Sequence, residues 1–219
     1  MKRIHILVEG QTEEAFARDI LRAHFLSQGA WLSYSIVATK RTKKGTKFKG
    51  GVTSYKTLKR EILLLLRDTS LVAVTTMIDY YGIPDDFPGK DTLQGKTCFD
   101  KVAYLEKACQ IDINHRQFIP YLALHEFEAL LFTDPLAIAA AFGGTNVKKN
   151  LLAIRNSYSS PEEINDGPKT HPAARILALL PNYRKRRDGP FIASNIGLAT
   201  IRAECVHFNE WLTKLETKI

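Results

Sequence analysis

Leu71-Val72-Ala73-Val74-Thr75-Thr76-Met77-Ile78 is an unbroken apolar and β-branched run that stops at Asp79. Without polar alternation it fits a strand covered on both faces, the kind found in parallel sheets. Toward the N-terminus, Leu58, Ile62, Leu65 and Leu66 recur at helical spacing, and Leu32 to Ala38 reads as another strand. Thr39 to Gly51, between them, is polar, basic and without periodicity, which predicts a loop. Arg3 to Val8 is a first short strand, followed by a turn at Gly10 and a helix marked by Ala15, Phe16, Ile20, Leu21, His24 and Phe25.

Beyond Ile78, Asp79 to Gly95 carries two Pro and three Gly among aspartates and predicts a long loop at the strand's C-terminal end. Cys98 to Cys109 returns to helical spacing, Gln117 to Leu124 predicts a strand, and His125 to Phe132 (HEFEALLF) the start of a helix. Strand and helix alternate, and parallel strands need crossover helices, so the fold class is α/β with a mostly parallel sheet flanked by helices. From Asp134 only helices follow, at about Pro135 to Phe142, Val147 to Asn156, His171 to Leu180 and Gly197 to Leu215. The expected division is an α/β core over 1–133 and a helical C-terminal region over 134–219 packed on it.

The 219 residues suffice for a sizeable core, and 45% hydrophobic with 25% charged residues excludes a wholly disordered or collagen-like chain. The longest apolar stretches, Ile62 to Leu66 and Ala137 to Phe142, fall far short of the roughly 20 residues of a membrane span. Glu9 interrupts the N-terminal apolar run before a signal core could form, so the expected compartment is the cytoplasm and no membrane partner is expected. Cys98, Cys109 and Cys205 are odd in number and widely spaced, which predicts packed thiols rather than disulfides or a zinc site.

In an open α/β sheet, ligands bind beyond the carboxyl ends of the strands. Each candidate strand here runs into acids there: Glu9 after the first, Asp79 after the central one, and Glu126 and Glu128, with His125, after the third. Glu13 lies one helical turn past Glu9 and could return to the same mouth. Crowded carboxylates repel unless cations neutralise them, and hard divalent cations prefer oxygen ligands, so Mg²⁺ or Mn²⁺ is the expected cofactor. Glu13 also fits a plain helix-end role, complementing the macrodipole, and His125 a hydrogen-bonded structural one. The spacing is not His-Glu-x-x-His, so a metalloprotease is not indicated.

Net charge is +8, which suits a polyanionic partner. Lys40, Arg41, Lys43, Lys44, Lys47 and Lys49 stand close together, with Lys56, Lys59 and Arg60 following and no acid among them. This is the composition of a phosphate-gripping arm, though also of a solvated loop. Tyr183-Arg184-Lys185-Arg186-Arg187 is a second basic cluster that could extend the same track. There is no Walker A, Gly-x-Gly-x-x-Gly or zinc-finger spacing, and hence no support for a nucleotide-binding or zinc module.

Val8-Glu9-Gly10-Gln11-Thr12-Glu13 resembles the first motif of Toprim domains, found in topoisomerases, primases and nucleases of the overcoming-lysogenization-defect type. More closely, VEGQTEEAF, MIDYYGIPDDFPG, PYLALHEFEALLF, SPEEINDGP and CVHFNEWL together resemble the bacterial Toprim-like domain-of-unknown-function family 4276. The resemblance implies a Toprim-like, Rossmann-like core in which Glu9 matches the Toprim glutamate and Asp79 the first aspartate of Asp-x-Asp. Tyr81 stands where the second aspartate is expected, so Glu126, Glu128, Asp85 or Asp86 would have to replace it. Family members are associated with AAA or structural-maintenance type ATPases, in settings of defence against phage or plasmids.

The expected function is a divalent-metal-dependent phosphodiester hydrolase acting on DNA or RNA. Its metal ligands would be Glu9, Asp79, Glu126 and Glu128, with Glu13 and His125 in the same catalytic cluster and the two basic clusters on the nucleic-acid backbone. The alternative is a non-catalytic nucleic-acid-binding or ATPase-regulating module on a degenerate Toprim fold. A nucleotidyl-transferring or strand-rejoining enzyme ranks last, because a topoisomerase-like path needs a separate tyrosine nucleophile and more protein.

Overall fold

A computed structural model describes residues 1–37, 52–144, 146–165, 167 and 169–219. β1 (Lys2–Val8) lies between β2 (Ala30–Ile36) and β3 (Leu71–Asp79), all parallel. β4 (Phe118–Ile119) and β5 (Leu122–Ala123) both pair with β3 in parallel, the first beside Val74 and Thr75 and the second beside Ile78 and Asp79. The chain leaves β1 in one direction to β2 and returns past it to β3. The order therefore reverses between β1 and β3, where the loops splay apart and leave a crevice at the strands' carboxyl ends.

α1 (Gln11–Phe16), a π-helical Ala17–Leu21 and α2 (Arg22–Ser27) link β1 to β2. α3 (Tyr55–Leu65) precedes β3, and α4 (Cys98–Ile113) links β3 to β4. Successive strand side chains point to opposite faces, so each strand feeds two cores. Ile4, Ile6, Val8, Ala73 and Met77 pack with Phe16, Leu21 and Phe25, whereas Leu7, Val74 and Ile78 pack with Leu58, Ile62, Val102 and Leu105.

The C-terminal half is helical: α5 (Pro135–Ala140), α6 (Lys148–Asn156), α7 (Pro172–Leu179), α8 (Lys185–Ile196), α9 (Leu198–Glu204) and α10 (Val206–Glu216). Ile138, Leu151, Ile176, Ile192, Ile201 and Phe208 of these helices join the core on the β1–β3 face that α1 and α2 also cover. Two of the quoted motifs dock here, since the buried Glu162 carboxylate accepts hydrogen bonds from the backbone N–H groups of His207 (3.0 Å) and Phe208 (3.0 Å). That cap starts α10 afresh.

Four local readings are corrected. The single strand expected over Gln117 to Leu124 is two short ones, because Pro120 has no N–H to donate to a ladder; instead, Tyr121 N–H donates to Thr76 Oγ1 (2.9 Å). HEFEALLF forms a 3₁₀ segment, Phe127–Thr133, buried almost throughout, and no α-helix. The helix expected from Gly197 to Leu215 breaks at Cys205 into α9 and α10. α8 begins at Lys185 inside the second basic cluster and runs through Gly189 and Pro190, which argue against a helix, and the packing described below outweighs that propensity.

No helix among the described residues is long and apolar enough to cross a membrane. Cys98, Cys109 and Cys205 are free thiols, and burial pushes Cys109 up to about 12. Residues 39–51, with Lys40, Arg41, Lys43, Lys44, Lys47 and Lys49, lie outside the described residues.

Candidate functional site

Glu9 and Asp79 leave adjacent strands at the reversal point. Glu9 N–H donates to Met77 C=O (3.1 Å), and Glu9 Oε2 accepts from Asp79 N–H (2.8 Å), so the two acids are joined although seventy positions apart. Two glycines let the chain close around them. A Cβ on Gly82 would come to 3.0 Å from Glu9 Oε1, and one on Gly10 to 3.1 Å from Glu13 Oε2. Glu13, in the first turn of α1, is buried.

Glu126 and Glu128 reach the same place through a strained turn. His125 has φ +66°, in the left-handed region that non-glycine residues avoid, and Glu126 N–H donates to Leu124 C=O (2.9 Å) across it. The 3₁₀ segment then carries Glu128 inward to 0% exposure, where its Oε1 accepts from the Tyr183 hydroxyl (3.0 Å). Glu126 Oε1 accepts from Ala173 N–H at the start of α7 (2.6 Å) and lies 2.8 Å from His171 Nδ1.

The centre of the cluster is a lysine. Lys185 Nζ stands 2.8 Å from Glu128 Oε2, 3.4 Å from Glu126 Oε2 and 3.9 Å from Asp79 Oδ2. Lys185 opens α8, and α8 comes this close because position 189 is glycine: a Cβ there would meet Tyr183 Oη at 3.1 Å, the Phe127 ring at 3.2 Å and Thr12 at 3.5 Å. Lys185 is thus separated in role from its neighbours in the basic cluster. Arg184, Arg186 and Arg187 are exposed, and Arg187 pairs with Asp188 (2.6 Å). Lys185, expected with the cations on the nucleic-acid backbone, instead turns its ammonium to the acids.

Glu9, Glu13, Asp79 and Glu128, crowded around one ammonium in a buried crevice, hold their protons unusually tightly. Burial pushes Glu9 up to about 7, opposed by the Asp79 N–H and reinforced by Glu13. Burial likewise pushes Glu128 up to about 7 against the pull of Lys185, and raises Glu13 and Asp79. Burial works to lower Lys185, but Glu128, Asp79 and Glu126 outweigh it and raise it. Asp79 Oδ1 is buried with no hydrogen-bond partner among the described residues.

The other acids offered for the missing aspartate are engaged elsewhere. Asp85 pairs with Lys90 (2.9 Å), and Asp86 accepts from the N–H groups of Tyr55 and Lys56 at the start of α3, which hold it below the usual carboxylate range. Tyr81 is 53% exposed on the rim. No group of three His, Cys, Asp or Glu side chains among the described residues is assembled so as to hold a metal ion as it stands. The donors nevertheless suit a hard cation, being all oxygen, with one buried oxygen unpartnered.

An open parallel sheet helical on both faces, with an acidic crevice at its strand-order reversal, defines an α/β protein of the Rossmann-like class. The chain belongs to the family described as domain of unknown function DUF4276, whose model matches residues 8–216. No curated protein and no solved structure matches it.

Proposed function

We propose that this protein is a divalent-metal-dependent phosphodiester hydrolase of nucleic acid on a Toprim-like core. The observation that carries the reading is the convergence of Glu9, Glu13, Asp79, Glu126 and Glu128 on one crevice, where burial raises the proton affinity of Glu9, Glu13, Asp79 and Glu128 and Asp79 Oδ1 has no hydrogen-bond partner among the described residues. Glu9, Asp79 and one or both of Glu126 and Glu128 would hold Mg²⁺ or Mn²⁺. Such an ion, when bound, polarises the scissile phosphate and lowers the pKa of bound water. The chain's own part is to fix these oxygens in place. Asp79 N–H orients Glu9, Tyr183 orients Glu128, and the start of α7 orients Glu126. Lys185 supplies the counter-charge to Glu128, Glu126 and Asp79, and its ammonium would be a donor for a phosphate bound beside those acids.

The second reading, a non-catalytic nucleic-acid-binding or ATPase-regulating module, is favoured by Tyr81 at the second-aspartate position and by the lysine seated among the acids. Cleavage assays separate the two. Wild-type chain with Mn²⁺, and with an AAA or structural-maintenance type ATPase encoded beside it if there is one, should cut DNA or RNA. Asp79→Asn should abolish cutting while leaving binding intact. Neutralising Lys43, Lys44 and Lys47 together should weaken binding at low salt and flatten its salt dependence, as lost phosphate contacts do. Wild-type inactivity under all these conditions would leave the binding module.

A further inference from the structure

Beside the acidic crevice lies a cavity of about 350 Å³ lined by Tyr80, Tyr81, Ile83, Leu93, Lys90 and His125, with Asn165 at its wall. Its size is within the range of about 300–1,000 Å³ typical of small-ligand sites. Tyr80 directly follows Asp79, and His125 directly precedes Glu126, so the cavity and the crevice share two chain segments. The aromatic rings are set around it. His125 sits with its ring centroid 6.4 Å from Tyr80 and 6.0 Å from Tyr81, and Asn165 Nδ2 lies 3.0 Å from His125 Nδ1. Lys90 is spanned between Ile83 C=O and Asp85, which pins the loop that forms the far wall.

Tyr81 is the informative residue. It is 53% exposed at the mouth of the cavity, where Lys90, His125 and Asn165 are already engaged with protein partners. A flat ring held open beside a crevice proposed to handle phosphates can stack on the π-face of a nucleobase, and stacking of that kind tolerates any base. In a duplex both faces of each base are covered by neighbours, and extruding one costs free energy that an unpaired strand does not pay. We propose that this cavity receives an unpaired nucleobase next to the phosphate held at the acidic crevice, making single-stranded nucleic acid the substrate class. The substrate assignment rests on the hydrolase reading, but base capture itself does not.

The test is binding measured by fluorescence anisotropy on the full chain carrying Asp79→Asn, with Mn²⁺ present so that the crevice keeps its cation while no cleavage intervenes. Three probes of equal length are compared: single-stranded oligothymidylate, the same strand made abasic, and a duplex. The strand with bases should bind tightest. Tyr81→Ala should weaken it about fivefold to a hundredfold, leave the abasic strand unchanged, and be rescued by Tyr81→Phe. Because the ring is half exposed, Tyr81→Ala should melt like wild type, which excludes misfolding as the cause. Equal affinity for all three probes, or a Tyr81→Ala loss that is the same for each, would overturn the proposal. Base-dependent binding in a protein that never cleaves would sink the hydrolase and keep the pocket, whereas cleavage without base dependence would do the reverse.

Discussion

Glu9 shows how a functional arrangement acts against stability. Its ordinary value is 4.5 and burial holds it near 7. Between those values the folded chain keeps a proton that the unfolded chain has lost, so stability falls as pH rises through about 4.5 to 7 and stays reduced above. Glu9→Gln keeps an oxygen for the Asp79 N–H and removes the buried charge. The metal-free variant should therefore be more stable than wild type at pH 8, by on the order of 3 kcal/mol, and nearly indistinguishable at pH 4.5. Thermal melting at the two pH values checks this. Added Mn²⁺ should raise the wild-type melting temperature at pH 8, as ligands of the native state do, and leave Glu9→Gln unmoved. Lys185→Met should act in the opposite sense, since it strands Glu128 without its counter-charge. A loss of about 1–3 kcal/mol is expected at pH 8, below the roughly 3–5 kcal/mol of a fully buried pair because the lysine side chain is 38% exposed. The loss should shrink toward pH 5, where Glu128 takes up a proton; urea unfolding at both pH values measures it.

Among the elements, α8 is the one whose position decides the site. Helix propensity alone says that Gly189→Ala should stabilise by about 1 kcal/mol. The added Cβ would, however, press on Tyr183 Oη and the Phe127 ring, both set in the buried wall of the crevice. Overpacking of that kind costs about 1–3 kcal/mol, so a net loss of about 1 kcal/mol is expected in urea unfolding. The loss should come with weakened Mn²⁺ stabilisation, because Lys185 and Tyr183 move away from Glu128. A net gain would mean that the neighbours yield and that the close approach of α8 is not needed. The strained turn at His125 belongs to the same scale: it swings Glu126 and Glu128 off the end of β5 into the crevice, where an extended continuation would carry them past it.

At the scale of the whole molecule, the sheet and the C-terminal helices share one hydrophobic core. Trp211 of α10 stacks on Tyr121 at 4.2 Å and donates its indole N–H to Thr75 Oγ1 of β3 (2.8 Å), while Tyr121 stacks on His207 at 5.0 Å. Around them, His207 Nε2 lies 3.0 Å from Glu106 and Glu162 caps α10, so the helix that ends the chain is fastened to the central strand. Trp211→Phe removes a buried hydrogen bond and should cost about 1–3 kcal/mol. Unfolding followed by far-ultraviolet circular dichroism and by aromatic fluorescence should remain one coincident transition in the wild type. Two separated transitions would show that the region from residue 134 onward folds apart from the sheet.

The sequence by itself determined the parallel α/β fold and which acids stand at the carboxyl ends of its strands. Both follow from local pattern: continuous apolar, β-branched runs mark the strands and period-3.6 spacing the helices, and an acid ending an apolar strand must emerge at the sheet's rim. Hence Glu9, Asp79, Glu126 and Glu128 were legible together, and Glu13 by its one-turn offset. Only the tertiary structure decided what stands among them. Lys185, which opens α8, and Tyr183, two residues before it, lie more than one hundred residues beyond Asp79, beside a segment whose Gly189 and Pro190 suggest a loop. Their meeting with Glu128 depends on shape complementarity at Gly189 and on burial of α8 against α1 and Phe127. Those are long-range packing terms, and a residue's immediate neighbours in the chain carry no record of them.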